Sequence, residues 1–374
     1  MQIQTNSMTI GEPNKCFIVA EAGSNHNGDI ELGKKLIDSA KECGCDAVKF
    51  QAFRTEELVT EKADKAEYQK GKSSGKSQFE MLKDLELSKE NHSALIDYAK
   101  QIGIPLFYSV FDYSSSDLVD ELGIEIFKFG AGELTNLPFL EHVAKKGKPM
   151  ILSAGVAEDW EIQDALDAIK SQGNDQIILM HCTTGYPSRL EDANIRRVKY
   201  LKEKFNVLVG QSDHTLGTEV IISAAALGAC IIEKHFTIDN TLPGPDHSMS
   251  MNPEQMKEIV QAVRQVETNP VEESQLVETL EKLGKPTSVE DIEKILGQGN
   301  RAVSETELKE KIWVRKSLVA ASNINAGDIL DENNTAIRRP AEGILPKNAG
   351  KTYGKKAVND IEKGTPIKED MISE

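Results

Sequence analysis

The stretch SALIDYAKQIGIPLFYSVF, residues 93–111, carries the unit from which the fold is read. Its first half, SALIDYAKQIG, reads as an amphipathic helical stretch. Gly103 then supplies the left-handed turn that closes a helix without a Cβ penalty. IPLFYSVF (104–111) follows as a short β-rich run. Further runs of this kind are FIVAEAG (17–23), DAVKFQAF (46–53), IEIFKFGAGE (124–133), PMILSAG (149–155), IILMHCTT (177–184), VLVGQSDHT (207–215) and ACIIEKHF (229–236), separated by amphipathic stretches such as ELGKKLIDSAKECG and WEIQDALDAIKSQG. NPEQMKEIVQAVRQVE supplies a last helix. Strict alternation implies parallel strands joined by helical crossovers. Eight units predict an α/β fold, a closed (β/α)8 TIM barrel over residues 1–268. An open dinucleotide-binding sheet is disfavoured, because no Gly-x-Gly-x-x-Gly follows the first run.

A barrel collects its chemistry at the C-terminal ends of its strands. Those ends carry Glu21; Lys49 and Gln51; Lys128 and Glu133; Ser153; His181; Ser212, Asp213 and His214; and Glu233 with His235. Because alternate strand residues share a face, Lys49 pairs with Gln51, Ser212 with His214 and Glu233 with His235. Lys234 is expected to face the helices or a strand-end neighbour. Two histidines on consecutive strand ends suit one divalent ion, with water or substrate oxygens completing its shell. His181 has two open roles, loop support and substrate contact. His26, His92 and His142 are expected at the surface or in caps, and His247 near the mouth.

The 374 residues carry a net charge of −16, which disfavours nucleic acid and anionic membranes as partners. An anionic small molecule then needs a local cluster of cations. Lys49 and Lys128, with the hydroxyls of Ser109, Ser153 and Ser212, form such a cradle for phosphate or carboxylate. The other role open to these lysines is a Schiff base. Glu21 and Glu133 suit proton transfer or substrate orientation, or simply pair with the lysines. The N-terminus lacks the basic and apolar regions of a signal peptide, so the cytoplasm is the expected location. Five cysteines without zinc-like spacing read as reduced, mostly buried thiols.

Residues 269–311 are charged and lack aromatics, reading as a linker with short exposed helices. Residues 312–374 hold short β runs broken by NAGD, ENN and EKGT, a strand-rich module small enough to need docking. It places Arg338 and Arg339 in an acidic protein, either as surface ion pairs or as donors to a polar ligand.

AEAGSNHNGD, DAVKFQAF, FKFGAGELTN, ILSAG, HCTTGYP, GQSDHTLG, EKHFT and PGPDHS, in this order, are similar to the sialic acid synthase family. RKSLVA, INAGDIL and IRRP resemble its C-terminal antifreeze-like (SAF) domain. The resemblance implies an N-acetylneuraminate synthase that condenses phosphoenolpyruvate with N-acetylmannosamine to a nine-carbon α-keto acid and phosphate. Its other expectation is an N,N'-diacetyllegionaminate or, with the PGPDHS loop against it, a pseudaminate synthase acting on a 2,4-diacetamido sugar. The resemblance also implies Mn²⁺ or Mg²⁺ on His214 and His235. Lys49, Ser109, Lys128, Ser153 and Ser212 would hold phosphoenolpyruvate, with Gln51 beside them. Glu21 and Glu133 would serve water and proton movement, and Tyr186 and Asp246 would contact the sugar. Arg339 would come from the partner of a domain-swapped homodimer.

Three positions depart from the family's pattern, and the third bears on the exact sugar. Ala131 stands where a serine is common, SVFD (109–112) replaces TPFD, and Thr184 sits where a sialic-acid-specific member can carry Asn. No role is assigned to the 68–80 loop. A Schiff-base aldolase and a non-catalytic sugar-binding protein are the readings from other classes.

Overall fold

The computed structural model describes residues 1–11, 13, 15–63, 65, 77–268, 271–300 and 303–373. Most of the 68–80 loop therefore lies outside the described residues. The chain opens with a hairpin, β1 (Ile3–Gln4) and β2 (Thr9–Ile10). The barrel then runs β3 (Phe17–Gly23), α1 (Ile30–Glu42) and β4 (Ala47–Ala52), after which α2 (Thr55–Leu58) and α3 (Gln78–Leu85) occupy a loop. It continues α4 (Lys89–Ile102), β5 (Leu106–Val110), α5 (Tyr113–Glu121), β6 (Phe127–Phe129), α6 (Leu137–Ala144), β7 (Met150–Ser153), α7 (Asp159–Ser171) and β8 (Ile177–Cys182). α8 (Arg196–Phe205), β9 (Leu208–Asp213), α9 (Glu219–Ala226), β10 (Ile231–His235) and α10 (Pro253–Val266) complete it. Strands β3 to β10 form one closed parallel barrel, sealed where Ile231–His235 pairs in register with Phe17–Glu21.

The unit at 93–111 folds as its pattern predicts. Ser88 caps α4 by accepting from Asn91 N at 3.2 Å, Gly103 closes it at φ 72°, and Leu95, Ile96 and Ala99 face inward. Inside the barrel, Phe17, Val19, Phe107, Ile126, Ile151, Ile178, Met180 and Ile231 fill the lower layers, and Ile3, Met8 and Ile10 of the hairpin close the bottom. A packed floor leaves the strand C-termini as the open end.

The fourth β run is shorter than 124–133. The strand stops at Phe129, and Ala131–Glu133 is a 3-10 turn. The linker also differs from expectation. Its helices α11 (Leu276–Lys282) and α12 (Val289–Leu296) bury Leu276, Leu280, Ile292, Ile295 and Leu296 in the outer barrel core. Those residues keep helical spacing inside a charged text, so an apolar face exists to dock. α13 (Glu305–Val314) crosses the expected boundary at 311 and runs into the final module. There β11 (Ser317–Ala320) and β12 (Thr335–Arg338) pair antiparallel over a separate core that includes Leu318, Ile324, Leu330, Ile344, Ile361 and Ile367. Among the described residues no helix is long and apolar enough to cross a membrane. All five cysteines are free, and four are buried.

His26 and His92 are buried rather than superficial, packed on Phe50 and Tyr108 at ring distances of 5.9 and 5.0 Å. Burial lowers His26 to about 3 and His92 to about 4 from the usual 6.5. A histidine held neutral in the fold contributes stability that is present above its unfolded pKa and is lost as pH falls towards the folded one. The window for loss therefore opens below pH 6.5. At pH 5 each ring costs about 2 kcal/mol. The apparent Tm is expected to be level above pH 7 and clearly lower at pH 5, as read by thermal scans. Equal Tm values at pH 7.5 and pH 5 would count against this account.

Candidate active site

A cavity of about 160 Å³ occupies the mouth of the barrel. Its floor is a buried alternation of charges. Lys49 pairs with Glu21, donates to Ser109 Oγ at 2.7 Å and lies 3.7 Å from Glu233. Lys128 donates to Ser153 Oγ at 2.6 Å and lies 3.6 Å from Glu233. Ser212 donates to Glu233 at 3.0 Å, and Gln51 Nε2 reaches Glu21 at 3.5 Å. The parity argument places these side chains because β4, β6, β9 and β10 each send alternate residues inward.

The two carboxylates are driven apart. Burial raises Glu21 to about 7 and outweighs the neighbouring Lys49 ammonium. Burial also opposes charge on Glu233, but Lys128 and Lys49 together outweigh it and hold that group at about 2. Glu233 is thus a fixed anion, and Glu21 a group able to hold or release a proton near neutrality. Such a separation in one cleft marks acid–base chemistry. Burial lowers Lys128, so its proton is held less firmly than that of a surface lysine.

His214 and His235 line the same cavity, with ring centroids 5.5 Å apart. Tyr186 stacks 4.4 Å from His214 and stands 6.2 Å from His235. His214 Nδ1 lies 2.8 Å from the Thr183 carbonyl, so it carries the proton and leaves Nε2 as a lone pair. His235 Nδ1 is buried without a hydrogen-bond partner, 4.0 Å from an Asp246 carboxylate oxygen. Burial lowers both histidines, so both are neutral at pH 7. Among the described residues no group of three or more His, Cys, Asp or Glu forms a metal cage. Two neutral imidazoles, one oriented by a carbonyl and one with an orphaned nitrogen, nevertheless fit a divalent ion that takes its remaining ligands from water and substrate.

Glu21, Lys49, Gln51, Ser109, Lys128, Ser153, Tyr186, Ser212, His214, His235, Asp246 and Arg339 all line this cavity. Glu133 does not. Beyond the turn at Ala131, its carboxylate meets Lys316 at 3.0 Å and Asn136 at 3.0 Å. The turn is forced there because the Val314 carbonyl lies where a Cβ on residue 132 would be, 1.9 Å away, so only Gly132 fits. Arg339 lines this mouth from the C-terminal module. A bridge between Val59 and Arg339 seats it, with its guanidinium 5.7 Å above Phe111. His181 Nε2 donates to the Ala193 carbonyl of its loop, 2.8 Å away, and the residue lines a separate cavity. Lys234 turns from the mouth to Asp213 and the Thr215 and Gly217 carbonyls. His247 is fully buried against Thr237.

Glu233, expected at this mouth, is its central anion, while Trp313 and Val314 at the end of α13 and the apolar wall of Leu58, Met81 and Leu85 carry no sequence expectation. Strand parity with His235 was the available signal for Glu233. The others arrive by long-range docking.

Comparison with known proteins decides the affiliation. Residues 36–274 match the NeuB family and residues 315–373 match the SAF domain. The chain belongs to the NeuB family. Among its curated relatives, the N,N'-diacetyllegionaminic acid synthase of Legionella pneumophila is 40% identical over 96% of this chain and 94% of its own. The N-acetylneuraminate-9-phosphate synthase of Mus musculus is 34% identical, with 97% and 94% covered. The crystal structure of the Bacillus subtilis spore coat polysaccharide biosynthesis protein SpsE superimposes with a TM-score of 0.81 at 33% identity, covering 100% of this chain and 99% of that one. As a NeuB family member the chain is an enzyme of the carbon–carbon bond-forming synthase type, and the eight-stranded barrel followed by a SAF domain is that family's architecture.

Proposed function

We propose that this enzyme condenses phosphoenolpyruvate with a 2,4-diacetamido sugar, yielding N,N'-diacetyllegionaminate and inorganic phosphate. N-acetylmannosamine, the first expectation from sequence, becomes the second. The identity of 40% to a diacetyllegionaminic acid synthase, against 34% to a neuraminate-9-phosphate synthase, supports the order. Thr184 in the mouth, in place of an Asn, agrees with it. The observation that carries the reaction class is one cavity lined by two buried ammonium groups, three serines and two neutral imidazoles.

In this reading Lys49, Lys128, Ser109, Ser153 and Ser212 hold the phosphate and carboxylate of phosphoenolpyruvate. Binding of that anion takes the ammonium groups away from Glu233 and Glu21, which frees Glu21 for proton transfer. Tyr186, Asp246 and Arg339 orient the open-chain sugar so that its aldehyde carbon faces C3 of phosphoenolpyruvate. Mn²⁺ or Mg²⁺ on His214 and His235 would supply Lewis acidity toward the aldehyde oxygen. The new bond joins C3 to the aldehyde carbon. Water then adds at C2, Glu21 accepts its proton, and the C2–O bond to phosphate breaks. One water is consumed for each phosphate released. Lys316 ties Glu133 to the loop after β5, outside these steps.

The test is phosphate release with phosphoenolpyruvate and each of three sugars: N-acetylmannosamine and the legionaminate and pseudaminate 2,4-diacetamido precursors. The legionaminate precursor is expected to give the highest kcat/KM, by about tenfold or more over N-acetylmannosamine, since one lost polar contact is worth that much. A preference for N-acetylmannosamine would reverse the substrate assignment.

A further inference from the structure

Val156 is a β-branched residue at φ 49°, in a left-handed conformation such side chains rarely adopt. It lies three positions after Ser153, the hydroxyl bonded to Lys128. Both of its backbone polar groups are held by the segment that leads into the SAF domain. Glu307 Oε1 accepts from Val156 N at 2.8 Å, and Arg315 Nη2 donates to Val156 O at 2.5 Å. The same Glu307 oxygen accepts from Thr184 N at 3.1 Å, in the loop that carries Tyr186. Its other oxygen accepts from Ser304 N at 2.9 Å. Arg315 is fixed in turn by a two-pronged pairing with Glu161, both contacts at 2.7 Å. Glu307 and Arg315 are each 3% exposed.

The gripped loops also touch each other. A Cβ on Gly155 would stand 2.6 Å from Thr184 Oγ1 and 2.7 Å from Cys182 Sγ, so the two loops are packed directly against each other. Backbone strain persists only where the surroundings over-determine it. Around Val156 the determining contacts come from residues 304–315.

We infer that Glu307 and Arg315 are positioning residues of the active site: docked α13 holds Val156 left-handed, and so sets Ser153 beside Lys128 and Thr184 against the sugar. This rests on the reading of the cavity above and extends it. The phosphate side of the site, and not the sugar side alone, depends on the C-terminal arm.

Four full-length variants test it: Glu307→Gln, Val156→Gly, the pair combined, and Glu305→Gln on the exposed side of the same helix. In hydrogen exchange read by mass spectrometry, peptides holding Val156 and Thr184 should exchange about tenfold faster or more in Glu307→Gln, with the β8 peptide unchanged. In steady state, Glu307→Gln should lower kcat about tenfold or more at saturating substrates, whereas Glu305→Gln should match wild type. Glycine adopts φ 49° without strain, so in the Val156→Gly background Glu307→Gln should change kcat less than about threefold. Equal losses in both backgrounds, or unchanged exchange at Val156 and Thr184, would overturn the inference. If Glu307→Gln does not fold, Arg315→Lys, which keeps the charge and loses the fork, is read the same way. If wild type releases no phosphate with any sugar, the proposed function fails and the exchange comparison alone decides this point.

Discussion

EDTA is expected to abolish phosphate release, and Mn²⁺ in excess to restore it. The expectation rests on two imidazoles that are neutral, mutually close and aimed into the same cavity. His214 has its Nδ1 proton committed to the Thr183 carbonyl, which leaves Nε2 available. His235 has a buried nitrogen with no hydrogen-bond partner, and a buried polar atom left unpaired costs free energy unless a ligand satisfies it. A bound divalent ion contributes several kcal/mol of charge stabilisation to an aldehyde addition, so its removal costs about a thousandfold or more. His235→Ala should lose a comparable factor and should not recover at any practical Mn²⁺ concentration. Full activity in EDTA would remove the metal from the account.

Lys128→Met is expected to be almost as damaging, by a different route. Lys128 is 2% exposed, donates to Ser153 and helps keep Glu233 ionised. Its loss leaves Glu233 buried beside Lys49 alone and takes one cation from the phosphate cradle. Leaving a buried charge unpaired typically costs about 3–5 kcal/mol of stability, and loss of a charge-assisted contact to the anion is expected to lower kcat/KM for phosphoenolpyruvate by about a hundredfold or more. The KM for the sugar should change little, because the sugar is assigned to other side chains of the cavity. A variant whose sugar KM rises while phosphoenolpyruvate kinetics stay intact would contradict the division of the cavity. Lys128→Arg should not rescue fully, since the guanidinium is planar and too large for the position of an ammonium held 2.6 Å from Ser153.

Most of the barrel and most of the cavity were legible in the amino-acid sequence, for a physical reason. Parallel strands buried on both faces leave unbroken apolar runs, and polar residues at the ends of those runs have one place to point. Lys49, Lys128, His214 and His235 were therefore placed by periodicity alone. Glu133 was misplaced because FKFGAGE reads as a continuing strand, whereas the close approach of the Val314 carbonyl to Gly132 turns the chain there. That contact spans about half of the chain, and no local pattern reports it. The same holds for Glu307 on Val156 and Arg315 on Glu161. The linker was read as exposed because charge dominates its composition. Its docking face, Ile292, Ile295 and Leu296, is narrow but has helical spacing. His26 and His92 show the limit of placing a histidine by its polarity, since each sits buried against an aromatic ring.

The claim at the centre of this account is that carbon–carbon bond formation is followed by water addition at C2 and loss of phosphate with its bridging oxygen. Phosphoenolpyruvate labelled with ¹⁸O in that bridging position, turned over with the 2,4-diacetamido sugar, tests it in one measurement. The label should appear in the inorganic phosphate, as seen by the isotope shift in ³¹P NMR, while the product carries an unlabelled C2 oxygen from solvent. Label retained in the organic product would mean P–O cleavage, and the proposed sequence of steps would be wrong.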